Sequence, residues 1–445
     1  MARKLFSFLG TGKYEPCYYY LTVGNEKVND NNYRCYIQES LTNLLPKIDK
    51  QLDEIVIFIT NEAWGKNWIK NNNDKYELPG LKDTLVKYKG ECNVTPVRIP
   101  SGESEQELWR IFDKIFYQID PEDEIIFDIT HSFRSIPIVA TIILNYAKFV
   151  KGCDIGGIYY GAVEALRPPW ELRDMPIEDR YCPVFNLTSF VELLDWTVGI
   201  DKFISTGDVR QVASLIDIER ERFGRLGEYD KANFFKYLKT SIRSYTNSIA
   251  TCRGRELSKR ALDLKSKLEE ITDSPELVHI KPIKPLLEKM SSELKTYTND
   301  EHKNMLKVVK WCCEHNLIQQ GITILQEGVV TFLCERYGIN PNDEDREIIN
   351  QAAAIKKLSD MNSEIIPFER WGKEARQNEH LVNQLLDDEY FNKAAKFLGS
   401  MVDTRNDINH GGWRKAPFKP ETIEKNLEKF LKEAEQLIEE GLVNR

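Results

Sequence analysis

No apolar run in these 445 residues approaches the length of a membrane span, so no spanning helix is expected. The nine cysteines include no C-x-x-C pair, and Cys312 and Cys313 are merely adjacent. That argues against a disulfide framework or a zinc site and for reduced, mostly buried thiols. Positive net charge is absent too: 61 Lys and Arg face 70 Asp and Glu, a formal −9. A protein that coats duplex DNA is usually basic, so only a small, local cation site fits. The dinucleotide fingerprint is missing, because the Gly-Thr-Gly at 10–12 runs into Lys-Tyr-Glu instead of x-x-Gly. A nicotinamide enzyme is a poor fit. No compact helix-turn-helix with a basic recognition helix closes the chain, and there is no internal repeat or low-complexity segment. What the chain has is 41% hydrophobic and 11% aromatic residues, ample for packed cores. The start, MARKLFSFLGTG, carries an apolar stretch too short for a signal peptide. It reads as a first strand, and the expected location is cytoplasmic.

The first 190 residues alternate strand and helix. Apolar β-rich runs stand at 4–10, 54–60, 94–100, 124–130 and 155–163, with helical patterns at about 33–50, 103–118 and 135–150. Strands this apolar imply a mostly parallel sheet covered on both faces, Rossmann-like and doubly wound. Residues 14–28 alternate, contain a Gly-Asn turn and read as an inserted β-hairpin. After about 188 β-rich stretches almost vanish. Helices are expected through 210–310, with breaks near Pro275, Pro282 and Pro285, and again over 303–337, 345–360, 390–410 and 420–441. The fold class is α/β plus all-α, divided as 1–188, 189–305 and 306–445.

Two stretches carry chemistry. In open α/β sheets ligands bind beyond the carboxyl ends of strands, and four such ends are polar here: 10–14, 60–64, 100–106 and 128–135. The last, DITHSFRS, enters a helix with Ser135 placed as N-cap and Pro137 in the first turn. A helix start preceded by Thr130, Ser132 and Arg134 suits an anion, so the implied ligand bears phosphate. Asp128 and His131 can equally be read as organisers of the turn. The second stretch is RNDINHGG at 405–412. As a helix end it puts Asn406 and His410 on one face, Arg405 one position round, and a glycine in the left-handed cap. Imidazole and guanidinium together suit RNA cleavage without metal. The 2′-hydroxyl is the nucleophile, histidine moves protons near neutral pH, and arginine stabilises the pentacoordinate phosphate. Taken alone, the spacing also fits two surface residues at a helix terminus.

DITHSFRS resembles the D-x-T-H-[GS] signature of CRISPR-associated proteins, with Ser132 where glycine is usual. SFLGTGKYE resembles their opening strand and loop. RNDINHGG resembles the R-x4-H motif of HEPN ribonucleases. In this order the chain resembles the CARF–HEPN effectors of type III CRISPR systems, the Csx/Csm kind used in antiviral defense. The resemblance covers the first 190 residues and 395–415. It implies a CARF sensor that dimerises and binds cyclic oligoadenylate, cyclic tetra-adenylate above the larger ring. It also implies a HEPN endoribonuclease, allosterically activated, whose two R-x4-H motifs meet across a homodimer or higher oligomer to cut single-stranded RNA. Carried over, Arg405 and His410 are catalytic with Asn406 supporting. Thr11, Gly12, Lys13, Thr130, His131, Ser132, Arg134 and Ser135 bind the activator, and neither metal nor cofactor is required. Two competing readings are a ligand-binding regulator without nuclease activity and a CARF pocket that also degrades its cyclic ligand.

Overall fold

The computed structural model describes every residue except 1, 25, 30, 74, 77, 89, 132–135, 275–281, 343 and 444–445. The expected ligand residues Ser132, Arg134 and Ser135, and the expected break at Pro275, lie outside the described residues. The chain divides into two compact units, Met1–Glu192 and Leu193–Arg445.

The first unit is built on eight strands: β1 (Arg3–Leu9), β2 (Tyr18–Val23), β3 (Glu26–Asn29), β4 (Glu54–Ile59), β5 (Asn93–Arg98), β6 (Glu124–Asp128), β7 (Asp154–Gly161) and β8 (Tyr181–Asn186). Their order in the sheet is β3-β2-β8-β7-β6-β1-β4-β5. The run β7-β6-β1-β4-β5 is parallel throughout. All seven residues of β1 are buried, and they alternate between two cores. Leu5 and Leu9 join one. Phe6 and Phe8 join the other, where they pack against Phe58 and Phe127 with ring centroids 5.3–6.1 Å apart. Helices Ile37–Ile48, Glu105–Phe116 and Ile136–Lys151 connect the strands. The expected Rossmann-like layer is thus present.

Two features of the sheet differ from the sequence reading. The hairpin β2–β3 does not interrupt the sheet but extends it, with β2 pairing parallel to β8. Strand β8 itself is not among the expected runs, and Pro183 sits in its middle. Proline has no amide proton for a ladder and marks edge strands, yet β8 lies between β7 and β2. Its carbonyl still accepts from the Ala162 amide at 2.9 Å. The fully buried Arg180 precedes β8 and reaches Glu15 at 3.4 Å, tying that strand to the segment that follows β1.

The second unit is helical. Its main described helices include Arg210–Arg225, Tyr229–Ala250, Gly254–Asp273, Ile318–Arg336, Glu347–Asn362, Glu389–Asn409 and Pro420–Val443. One hydrophobic core runs through it from Trp196 to Ile438. The helical run expected over 303–337 is broken into Glu301–Glu314 and Ile318–Arg336. Asn316 takes φ 55° at the break, a left-handed conformation that asparagine tolerates better than most residues. Among the described residues no helix is long and apolar enough to cross a membrane.

Candidate functional sites

In the first unit the chain runs from β1 to β4 and β5 on one side, then returns to β6 and β7 on the other. The topological switch point therefore lies between β1 and β6, where crevices form in open α/β sheets. The loops that leave these strands are two of the four polar ends that the sequence singles out, 10–14 and 128–135, the latter described as far as His131.

Asp128 ends β6, opposite Ser7 in the register. It is fully buried, with Oδ2 accepting from the Ser7 hydroxyl at 2.6 Å and Oδ1 accepting from the Thr130 amide at 3.0 Å and hydroxyl at 2.5 Å. Burial pushes its carboxyl above the ordinary range, against the lowering effect of these bonds. The Thr130 hydroxyl also accepts from the Gly161 amide at 2.8 Å. Asp128 and Thr130 therefore brace the turn. His131 stacks edge-to-face on Tyr14, ring centroids 4.5 Å apart. Its Nε2 is covered, with no hydrogen-bond partner among the described residues, and burial pulls its pKa down to about 4.

The loop after β1 is held from below by Asn67, a fully buried residue in the π-helical turn Trp64–Trp68. Its amide donates to the carbonyls of Gly10 and Gly12 at 2.8 and 2.9 Å, while its oxygen accepts from the Asn72 amide at 3.1 Å. With the carbonyls turned down, the backbone amides of Thr11 and Gly12 meet no acceptor among the described residues. Gly12 and Lys13 are exposed and Thr11 is half-buried. Free loop amides beside a lysine form the kind of concavity that takes an anion. Asn67 was not anticipated; its only sequence signal is the asparagine-rich stretch 67–73.

The other two polar strand ends serve local structure. Thr60 caps the turn after β4 through the Ala63 amide. Ser104 caps the following helix by accepting from the Glu107 amide, and the Glu107 carboxylate reaches back to accept from the Gly102 and Glu103 amides.

In the second unit, Asp388 caps the start of helix Glu389–Asn409 by accepting from the Tyr390 and Phe391 amides. The helix ends in a Schellman motif. The Gly411 amide donates to the Ile408 carbonyl at 2.9 Å, and the Gly412 amide to the Asp407 carbonyl at 3.0 Å. Both glycines have positive φ, 60° and 72°, which explains the pair after His410. Asn406 and His410 face solvent, and no side-chain hydrogen bond holds either among the described residues. Arg405 turns the other way. It is 31% exposed and lies 3.4 Å from Glu327 on helix Ile318–Arg336. Glu327 also binds Arg346 at 2.7 Å, and Glu327 and Arg346, with Arg253 and Arg255, line a groove of about 730 Å³. Within one chain Arg405 makes no bond to Asn406 or His410. Glu327 and the exposed Trp413 (91%) were not anticipated. An acidic partner 78 residues away in the chain leaves no local pattern.

Because His131 is held below its ordinary pKa of 6.5, the unfolded chain takes up a proton between about pH 6.5 and 4 that the folded chain refuses. Its contribution to stability is complete above the unfolded pKa and is lost as pH falls through that window. Asp128, shifted upward, titrates in the opposite sense, so a difference between variants isolates the histidine. His131→Gln is expected to narrow its melting-temperature gap from wild type as pH falls from 7.5 to 5. A gap independent of pH would show that the ring carries no such linkage.

Comparison with known proteins connects the chain with CRISPR-associated proteins. Residues 192–301 match the family model described as CRISPR-associated protein MJ1674, second domain. The CRISPR-associated protein MJ1674 of Methanocaldococcus jannaschii is 25% identical over 338 residues, 74% of this chain and 44% of the relative. The chain thus spans less than half the length of the curated relative it matches.

Proposed function

We propose that this chain is a CRISPR-associated ribonuclease, activated by cyclic oligoadenylate and cleaving single-stranded RNA without metal at a site built from Arg405 and His410. One observation carries the reading. A Schellman-capped helix end presents Asn406 and His410 free to solvent, while the neighbouring Arg405 is oriented by Glu327 at 3.4 Å. In the proposed reaction the substrate 2′-hydroxyl attacks the adjacent phosphorus and the 5′-oxygen leaves, giving a 2′,3′-cyclic phosphate. His410 moves the protons, and Arg405 stabilises the charge of the pentacoordinate phosphate.

That Arg405 and His410 point apart within one chain supports a composite site, in which two copies bring their R-x4-H motifs together. An apolar face on the first unit supports pairing as well. Ile138, Ile142, Tyr146 and Phe149 recur on one side of helix Ile136–Lys151, 47–91% exposed. The proposed activator is a cyclic oligoadenylate, cyclic tetra-adenylate in preference. Its repeated phosphates would meet the open amides of Thr11 and Gly12 in each of two symmetric loops. The boundary between the two units falls inside helix Thr188–Thr206, which we take as the element that conveys the change.

The test is cleavage of labelled single-stranded RNA in EDTA, with and without cyclic tetra- and hexa-adenylate. Cleavage that persists in EDTA and rises with one of the rings is expected. Activity that collapses with chelator and returns with magnesium points to another nuclease chemistry. A rate indifferent to every ring removes the sensor reading.

A further inference from the structure

A second cationic feature lies away from Arg405. Residues 210–273 hold fourteen Lys and Arg against ten Asp and Glu, a local +4 in a chain whose total is −9. The helices Arg210–Arg225 and Tyr229–Ala250 enclose a groove of about 440 Å³ lined by Asp217, Arg220, Lys236, Lys239, Thr240, Arg243, Ser244 and Asn247. Lys236, Thr240, Arg243 and Asn247 follow a helical period, so they form one stripe. Lys239 is neutralised by Asp217. Arg220 also lies near Asp217, at 3.5 Å, but its covered Nε makes no hydrogen bond among the described residues. Lys236 and Arg243 are exposed and have no carboxylate partner among the described residues. Seven residues separate them, a span of about 10 Å along the helix. Thr240 places a hydroxyl between them, and Ser244 and the Asn247 amide add uncharged donors just beyond Arg243. Tyr237, 57% exposed, stands on the same helix next to this stripe.

We infer that this groove binds the phosphate backbone of single-stranded RNA, independently of the cleavage site. Two unpaired cations two helical turns apart suit successive phosphates better than one small anion. Hydroxyl and amide donors serve phosphate oxygens without regard to sequence. The exposed Tyr237, next in the helix to Lys236, offers a face on which a base can stack. The chain's overall negative charge repels a long polyanion elsewhere and favours this stretch.

The test uses a fluorescein-labelled 2′-O-methyl RNA strand, which lacks the nucleophile and survives any cleavage. Failure of the nuclease reading therefore leaves this measurement intact. Binding to the full chain is followed by anisotropy across salt concentrations. Each lost phosphate contact makes the slope of log K against log salt shallower by about 0.7 for a single strand. The double variant Lys236→Gln, Arg243→Gln is expected to bind more weakly with a slope shallower by about 1.4, whereas Lys236→Arg, Arg243→Lys keeps the wild-type slope. Unchanged affinity and slope in the neutralised variant overturn the proposal. So do a preference of the wild type for duplex DNA, equal displacement of the strand by poly-glutamate, or loss of slope in the charge-keeping variant.

Discussion

His410→Ala is expected to lower the rate of RNA cleavage by about 10²–10⁴, the usual contribution of a positioned proton-transfer group. Its melting temperature should stay at the wild-type value, because the imidazole is exposed and no side-chain bond depends on it among the described residues. Arg405→Ala should be as slow. It also leaves Glu327 with Arg346 as its remaining ion-pair partner, a change at a half-exposed site worth about 1 kcal/mol or less. Arg405→Lys should recover only part of the rate, since an ammonium lacks the planar fork that grips two phosphate oxygens. The measurement is single-turnover cleavage of labelled RNA at saturating activator. Wild-type rates from His410→Ala would remove the helix end from the chemistry.

Asn67→Ala is the second large effect. It deletes the amide that holds the Gly10 and Gly12 carbonyls and leaves both without their donor. The expected stability loss is about 1–3 kcal/mol, the cost of unsatisfied buried polar groups. More consequential is the loop itself. With its carbonyls released, the open amides of Thr11 and Gly12 are no longer aimed at one point. A shift of about 1 Å in a positioned group can cost on the order of 10²-fold. The ratio of activator-stimulated to basal cleavage should therefore fall steeply, and more activator should be needed to reach half-stimulation. Asn67→Asp serves as a control, because it keeps the size but turns a donor into an acceptor facing two carbonyls; it should be at least as damaging. Full stimulation at the wild-type activator concentration in both variants would mean that the loop plays no part in ligand response.

The residues by themselves determined the layered α/β half, because β1, β4 and β6 are apolar on both faces and that pattern has few other outcomes. They determined the end of helix Glu389–Asn409 as well: glycines at 411 and 412 are what a left-handed cap needs, and its hydrogen bonds are local in the chain. Strand β8 was decided by tertiary structure, since Pro183 argues against a central strand and only its neighbours β7 and β2 make one of it. The same holds for the roles of Asp128 and Thr130, which depend on Ser7 and Gly161, 121 and 31 residues distant. Asn67 beneath the first loop and Glu327 beside Arg405 belong with them. Periodicity and caps are written in neighbouring residues, where a single side chain meets the next turn of its own element. A hydrogen bond between distant segments is written nowhere until packing brings its two ends within about 3 Å, and both candidate sites are held by bonds of that kind.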